Sequence, residues 1–176
     1  MGELDRGQQS RILQMDDEAL LKELQTILTN RVEGNPYGSD GSFAENLASL
    51  PPGLRAMAAT HWLDISLTLD SITWHFGNFG EPHLVAQTEA GLRELGLEEL
   101  ADCFHEASEM MLPLLEQMDA NEGPDELLER KGVRERADEI NQRAWDLDSP
   151  GRGKSVIYEA WIKYARKHPE RILGTE

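Results

Sequence analysis

Residues 96–119 read GLEELADCFHEASEMMLPLLEQMD. At the helical pitch, Glu98, Asp102, Glu106, Glu109 and Glu116 fall within one arc of about 80°. Leu100, Phe104, Ala107, Met111, Leu114, Leu115 and Met118 fall between about 160° and 260° on the same wheel. A half-buried strand would alternate every second residue, and this stretch does not. The spacing therefore predicts a two-faced helix over about 98–119, one face packed in a core and the other made of carboxylates. Pro113 predicts a kink or a division, because its ring opposes the carbonyl four residues back.

The same period recurs to either side. Asp16, Asp17 and Glu18 open a helix suited to its positive end, with Leu20, Leu21, Leu24, Ile27 and Leu28 as its stripe and Gly34-Asn35-Pro36 as its stop. Residues 1–15 are expected to be mobile, and residues 33–42 (EGNPYGSDGS) to form a loop. A short helix is predicted at 43–49. Pro52 starts the next, whose apolar spacing (Leu54, Met57, Ala58, His61, Trp62, Ile65, Leu69) marks one buried face. That helix is expected to run on until Gly77 and Gly80 break it. Further helices are predicted at 82–95, 125–131, 133–146 and from Val156 to before Pro169, with a break at Ser149-Pro150-Gly151. With 176 residues and no alternating strand pattern, the chain is expected to be all-α: a single-domain multi-helix bundle of about seven to nine helices across 1–176.

Charge is distributed unevenly along this bundle. Residues 64–129 hold sixteen acids and one base, Arg93, whereas 130–176 hold eight acids and eleven bases. Acids three or four residues apart repel by a few tenths of a kcal/mol per pair, and the helix at 98–119 contains no Lys or Arg to offset them. Such a field excludes direct binding to a nucleic-acid backbone, which needs cations. It favours a basic partner. The candidate partner-binding carboxylates are Glu94, Glu98, Asp102, Glu106, Glu109, Glu116, Glu122, Asp125, Glu126 and Glu129. No apolar run reaches the ~20 residues of a membrane span, and no leader is apparent. The lone Cys103 suits a reducing, cytoplasmic setting.

Signals for chemistry are sparse. His105 and Glu109 share a helical face with Asp102 one turn earlier, the spacing of a metal-binding helix, but the second histidine of H-E-x-x-H is missing. No cofactor, structural metal or catalytic residue is expected. His61 and His75 are explained as hydrogen-bonded core histidines, as is His83. Cys103 has no base beside it.

Three stretches carry a family resemblance. LDSITWHFGN (69–78) contains Phe76 and Asn78, with Leu69-Asp70-Ser71 where the family has Asn-Gly-Gly. LRELGLEELADCFHEA (92–107) places Leu92, Leu95, Gly96, Ala101 and Ala107 in register. IYEAWIKYARKHPERI (157–172) supplies Tyr158, Trp161 and Tyr164. In this order they resemble the acidic bacterial DNA-mimic protein family, over about 50–172. The resemblance implies an all-helical domain whose acidic side chains stand in for DNA phosphates and engage a DNA-binding protein. The expected function is thus a non-enzymatic, cytoplasmic DNA mimic that binds a basic protein, as a monomer or homodimer. The alternatives are an immunity-like inhibitor of a basic toxin, or a metal-dependent hydrolase using Asp102, His105 and Glu109.

Overall fold

The computed structural model describes residues 3–119, 121–149 and 155–173, with the backbone alone at 3–6, 8 and 9. It holds eleven helices in this order: α1 (Glu3–Gln14), α2 (Asp17–Arg31), α3 (Ser42–Ala48), α4 (Pro52–Leu69), α5 (Ile72–Phe79) and α6 (Pro82–Glu94). There follow α7 (Glu98–Leu115), α8 (Pro124–Lys131), α9 (Arg134–Asp148), α10 (Val156–Lys167) and α11 (Glu170–Leu173). No strand occurs among the described residues. The all-α single domain expected from periodicity is what the chain forms.

Three helices go beyond the sequence pattern. The first, α1, occupies the stretch expected to be mobile, where Ile12 is buried and joins the core. The second, α5, arises because the helix from Pro52 stops at Leu69 instead of running to the glycines. Asp70 leaves helical geometry at φ −153°, and Ser71 restarts the chain as an N-cap, accepting from the Trp74 N–H at 3.1 Å. The capping hydroxyl satisfies a donor that the continuous helix would have paired internally. Gly77 then lies inside α5, and a Cβ there would come within 2.9 Å of Pro124. The third, α11, is a single turn that buries Ile172 against the core. The predicted break at Pro150-Gly151 lies outside the described residues.

α4 is central. It packs against α2, α3, α5, α6, α9, α10 and α11, and its buried residues lie on every side, not on one face as its apolar spacing implied. Small side chains make this feasible: Ala56, Ala58 and Ala59 are all buried. The crossing with α6 is so close that a Cβ on Gly91 would stand 3.0 Å from the Ala56 carbonyl oxygen. The buried hydroxyls of α4, on Thr60 and Ser66, donate back to carbonyls of the same helix. Thr60 donates to the Ala56 carbonyl at 2.8 Å and accepts from Trp161 Nε1 at 3.0 Å. Around this axis Phe76, Phe79, Phe104 and Trp161 are the largest buried side chains.

Pro113 neither divides α7 nor lies in its middle. It falls in the last turn, and the helix ends two residues later. Only one internal hydrogen bond is forfeited there, so the cost stays small.

Candidate protein-binding surface

α7 turns Leu100, Ala101, Cys103, Phe104, Ala107 and Met111 inward. Phe104 lies tilted against Phe76 with ring centroids 5.0 Å apart and meets His75 edge-on at 5.6 Å. Anchoring by these residues fixes the rotation of the helix and points the acidic arc at solvent. The Glu98, Asp102 and Glu109 side chains are 63%, 71% and 72% exposed. Glu116 is also exposed and is the C-cap residue, just past the end of the helix.

The face is acidic but not bare. Arg93, near the end of α6, spreads its guanidinium over three carboxylates: Glu89 at 3.1 Å, Glu98 at 2.9 Å and Asp102 at 2.9 Å. These hydrogen bonds, Asp102 first, raise its already high pKa further. Glu106 is bound by two guanidiniums from α9, Arg136 and Arg143. The absence of bases on α7 itself therefore does not mean an unanswered stripe. Bases arrive from α6 and α9.

The remaining sequence-nominated acids are distributed more widely. Glu122 accepts from Arg130 Nε at 2.6 Å, and this contact brings its pKa down to about 2. Arg134 pairs with Asp125 and lies 3.6 Å from Glu129. Glu126 accepts from the Gly123 N–H at 3.1 Å, capping α8. Glu94 faces elsewhere. It accepts from the Tyr164 hydroxyl and pairs with Arg171 at 2.8 Å, which ties α6 to α10 and α11. Glu109 has His105 alone, at 3.6 Å, and Glu116 has no ion pair among the described residues.

The alternative metal site is not assembled in this arrangement. Asp102 is engaged by Arg93, while His105 directs Nδ1 to Glu89 at 3.1 Å and Nε2 to Glu109. Among the described residues no group of three or more His, Cys, Asp or Glu is disposed to hold a metal ion. Cys103 is buried and donates to the Ile140 carbonyl at 3.7 Å. His75 is wholly buried. The Ser66 hydroxyl donates to the Trp62 carbonyl, so Nδ1–H of His75 donates to Ser66 Oγ at 2.9 Å and Nε2 is left without a partner. Desolvation lowers its pKa to about 3. His61 is half-buried beside the Tyr158 hydroxyl at 3.1 Å, whereas His83 is exposed and pairs with Glu81 at 2.8 Å. No helix among the described residues is long and apolar enough to cross a membrane.

Sequence reasoning missed two features. One is Arg93 as the hub of the stripe, signalled by its being the single base in the acidic third. The other is a pair of buried aspartates, Asp64 and Asp148. Asp64 is the one acid in α4, which was its signal; Asp148 gave none.

Fold and surface together define an acidic, all-helical protein whose exposed carboxylates are held in place by guanidiniums from neighbouring helices. The chain belongs to the DMP19-like protein family, whose model matches residues 48–168, from the last residue of α3 to the C-cap of α10. No curated protein and no solved structure matches it significantly.

Proposed function

We propose that this chain is a non-enzymatic cytoplasmic protein that binds a basic DNA-binding protein in competition with DNA. The carboxylate face of α7, extended by Asp125, Glu126 and Glu129 on α8, makes the contact. The observation that carries this reading is the shared guanidinium of Arg93. One positive charge serves three carboxylates, so the patch keeps two negative charges while its side chains are held in one geometry. Preorganised charge loses less entropy on binding than freely rotating side chains do. Successive acids on the helix stand roughly 4.5–6 Å apart along the axis. Duplex DNA carries a charge every ~1.7 Å, so α7 and α8 together approach the density of a backbone better than either helix alone. Membership of the DMP19-like family accords with this reading, as does the resemblance of the sequence to DNA mimics.

The test is competition. The immobilised chain captures basic DNA-binding proteins from its source cell, and duplex DNA then displaces them. Binding should weaken steeply with salt, since exposed charges act through a field screened over about 10 Å at 0.1 M. Capture that resists both DNA and salt would refute the mimic.

A further inference from the structure

The second half of α2, the loop at 33–42 and the middle of α4 do not close completely on one another. They enclose a cleft of about 460 Å³, within the size range of small-molecule sites. Leu28 on α2 and Val32 at its C-cap line one side, and Phe43, His61 and Trp62 also belong to the lining. Small residues leave the space open. Gly34 has no side chain and Ala58 only a methyl group, and both are part of the lining. The loop is held in place. Gly34 takes φ +104°, and a Cβ there would stand 3.2 Å from Asn46 Nδ2. That same amide donates to the Glu33 carbonyl at 3.2 Å. Walls fixed before binding reduce the entropy lost when a ligand enters.

The lining differs from the rest of the surface in its charge. It holds no Asp, Glu, Lys or Arg, although 28% of all residues in the chain are charged. Its polar side chains are Gln25, Thr29 and His61. Burial lowers the pKa of His61 and so favours the neutral ring. A charged ligand would lose its hydration here and meet no countercharge. Three lining side chains carry rings. Trp62 is half-buried, and it meets His61 edge-on with ring centroids 5.3 Å apart and Phe43 edge-on at 6.4 Å. His61 has Nδ1 against the Tyr158 hydroxyl at 3.1 Å, which fixes its orientation. Rings gathered around one opening suit a flat aromatic ligand, which can stack on them or meet them edge to face. Seven of the ten lining residues precede residue 48, where the match to the family begins. The cleft is therefore built mainly by this chain's N-terminal helices and not by the matched segment.

We propose that this cleft binds an uncharged aromatic small molecule of one or two fused rings. The ring lies against Trp62 and Phe43, with Leu28 and Val32 covering it from α2, and Gln25 and His61 meet its polar edge. The site shares no residue with the α7 face and does not depend on the reading of that face as a DNA mimic.

Calorimetric titration of the full chain with indole tests this. Saturable one-to-one binding is expected. Indole-3-acetate, which adds a carboxylate to the same ring, should bind at least about tenfold more weakly, or ~1.4 kcal/mol. Thr29→Trp, at an exposed position on α2, fills the cleft from its rim and should abolish binding. Its melting temperature should stay unchanged, which separates a blocked site from a lost fold. Trp62→Leu removes the main ring surface and should weaken binding at least about tenfold. A variant with Glu98, Asp102 and Glu109 changed to Gln should bind indole normally, so failure of the DNA-mimic surface and failure of this site are told apart. The proposal is overturned if the unaltered chain shows no saturable binding, or if Thr29→Trp, still folded, binds indole equally well. It is also overturned if indole-3-acetate binds as tightly as indole, because an uncharged lining would then not select the ligand. A tryptophan-containing peptide that binds more tightly than indole would overturn it too, since the occupant would then be a protein segment.

Discussion

The carboxylates on α7 and the aspartates between α4 and α9 are the same chemical group under opposite solvation. Glu98, Asp102 and Glu106 stand at the surface and are answered by Arg93, Arg136 and Arg143. Asp64 and Asp148 are buried, and each accepts from a serine hydroxyl. Water can carry most of the charge in the first set, so its guanidiniums chiefly position side chains; exposed pairs are worth about 0–1 kcal/mol. Water scarcely reaches the second set, so burial raises the pKa of both aspartates. A count of acids treats the two sets alike, and their solvation gives them different tasks.

The comparison can be broken most forcefully from beneath α7. Phe104→Ala removes a fully buried ring that holds the helix in its rotation, and should cost about 3–5 kcal/mol in denaturant unfolding. If the acidic face were self-supporting, the loss would be far smaller.

The pH dependence comes next, and its sign differs between buried groups. His75 has a folded pKa of about 3, against an ordinary 6.5, so the fold keeps it neutral while the unfolded chain takes up a proton below 6.5. Its contribution is complete above pH 6.5 and declines as the pH falls toward 3, by about 3 kcal/mol between 6.5 and 4. His75→Gln should flatten that slope in melts across pH, whatever it does to stability at neutral pH. Asp64 and Asp148 act in the other direction. Their carboxyls hold protons in the fold above the ordinary value of 3.8, so the fold loses stability as the pH rises through their raised pKa values. Asp64→Asn should therefore raise the melting temperature at pH 8 and leave it unchanged at pH 3.

Changing Glu98, Asp102, Glu106 and Glu109 together to Gln should have the smallest effect on folding. Removing like-charge repulsion on the helix favours the variant, while loss of the Arg93, Arg136 and Arg143 pairs opposes it. The net change is expected within about 1 kcal/mol and should shrink further in high salt. Binding to a basic DNA-binding protein should nevertheless fall sharply, measured by competition on the same variant. A large loss of stability with binding retained would assign these acids to internal ion pairs and end the DNA-mimic proposal. A chelator should leave the melting curve unchanged; a marked fall would show that a metal supports the fold.

Several of these features were legible in the chain before any coordinates. The wheel of 96–119 identified the inward and outward faces of α7, and the burial of Phe104 and exposure of Asp102 follow it. Pro52 and Gly96 mark helix ends where they were expected. Helical periodicity is written within four residues by the hydrogen bond from N–H to the carbonyl one turn back, so a sequence carries it intact. The Asp70–Ser71 break was also local, but Ser71 as an N-cap competed with an apolar pattern that ran through it. What only the tertiary structure decided is which charge meets which. Glu106 and its guanidiniums are 30 and 37 residues apart, and Asp64 lies 91 residues from Ser155. Such pairings depend on how helices cross, and crossings are set by side-chain volumes across the whole core, as at Ala56 against Gly91. The sequence by itself determined that the protein is helical, acidic and two-faced along α7. Packing determined that α4 is enclosed on all sides, that the acidic stripe is clamped by arginines from other helices, and that two aspartates are buried with no ion pair among the described residues, because solvation and long-range contact belong to the assembled core and not to any one segment.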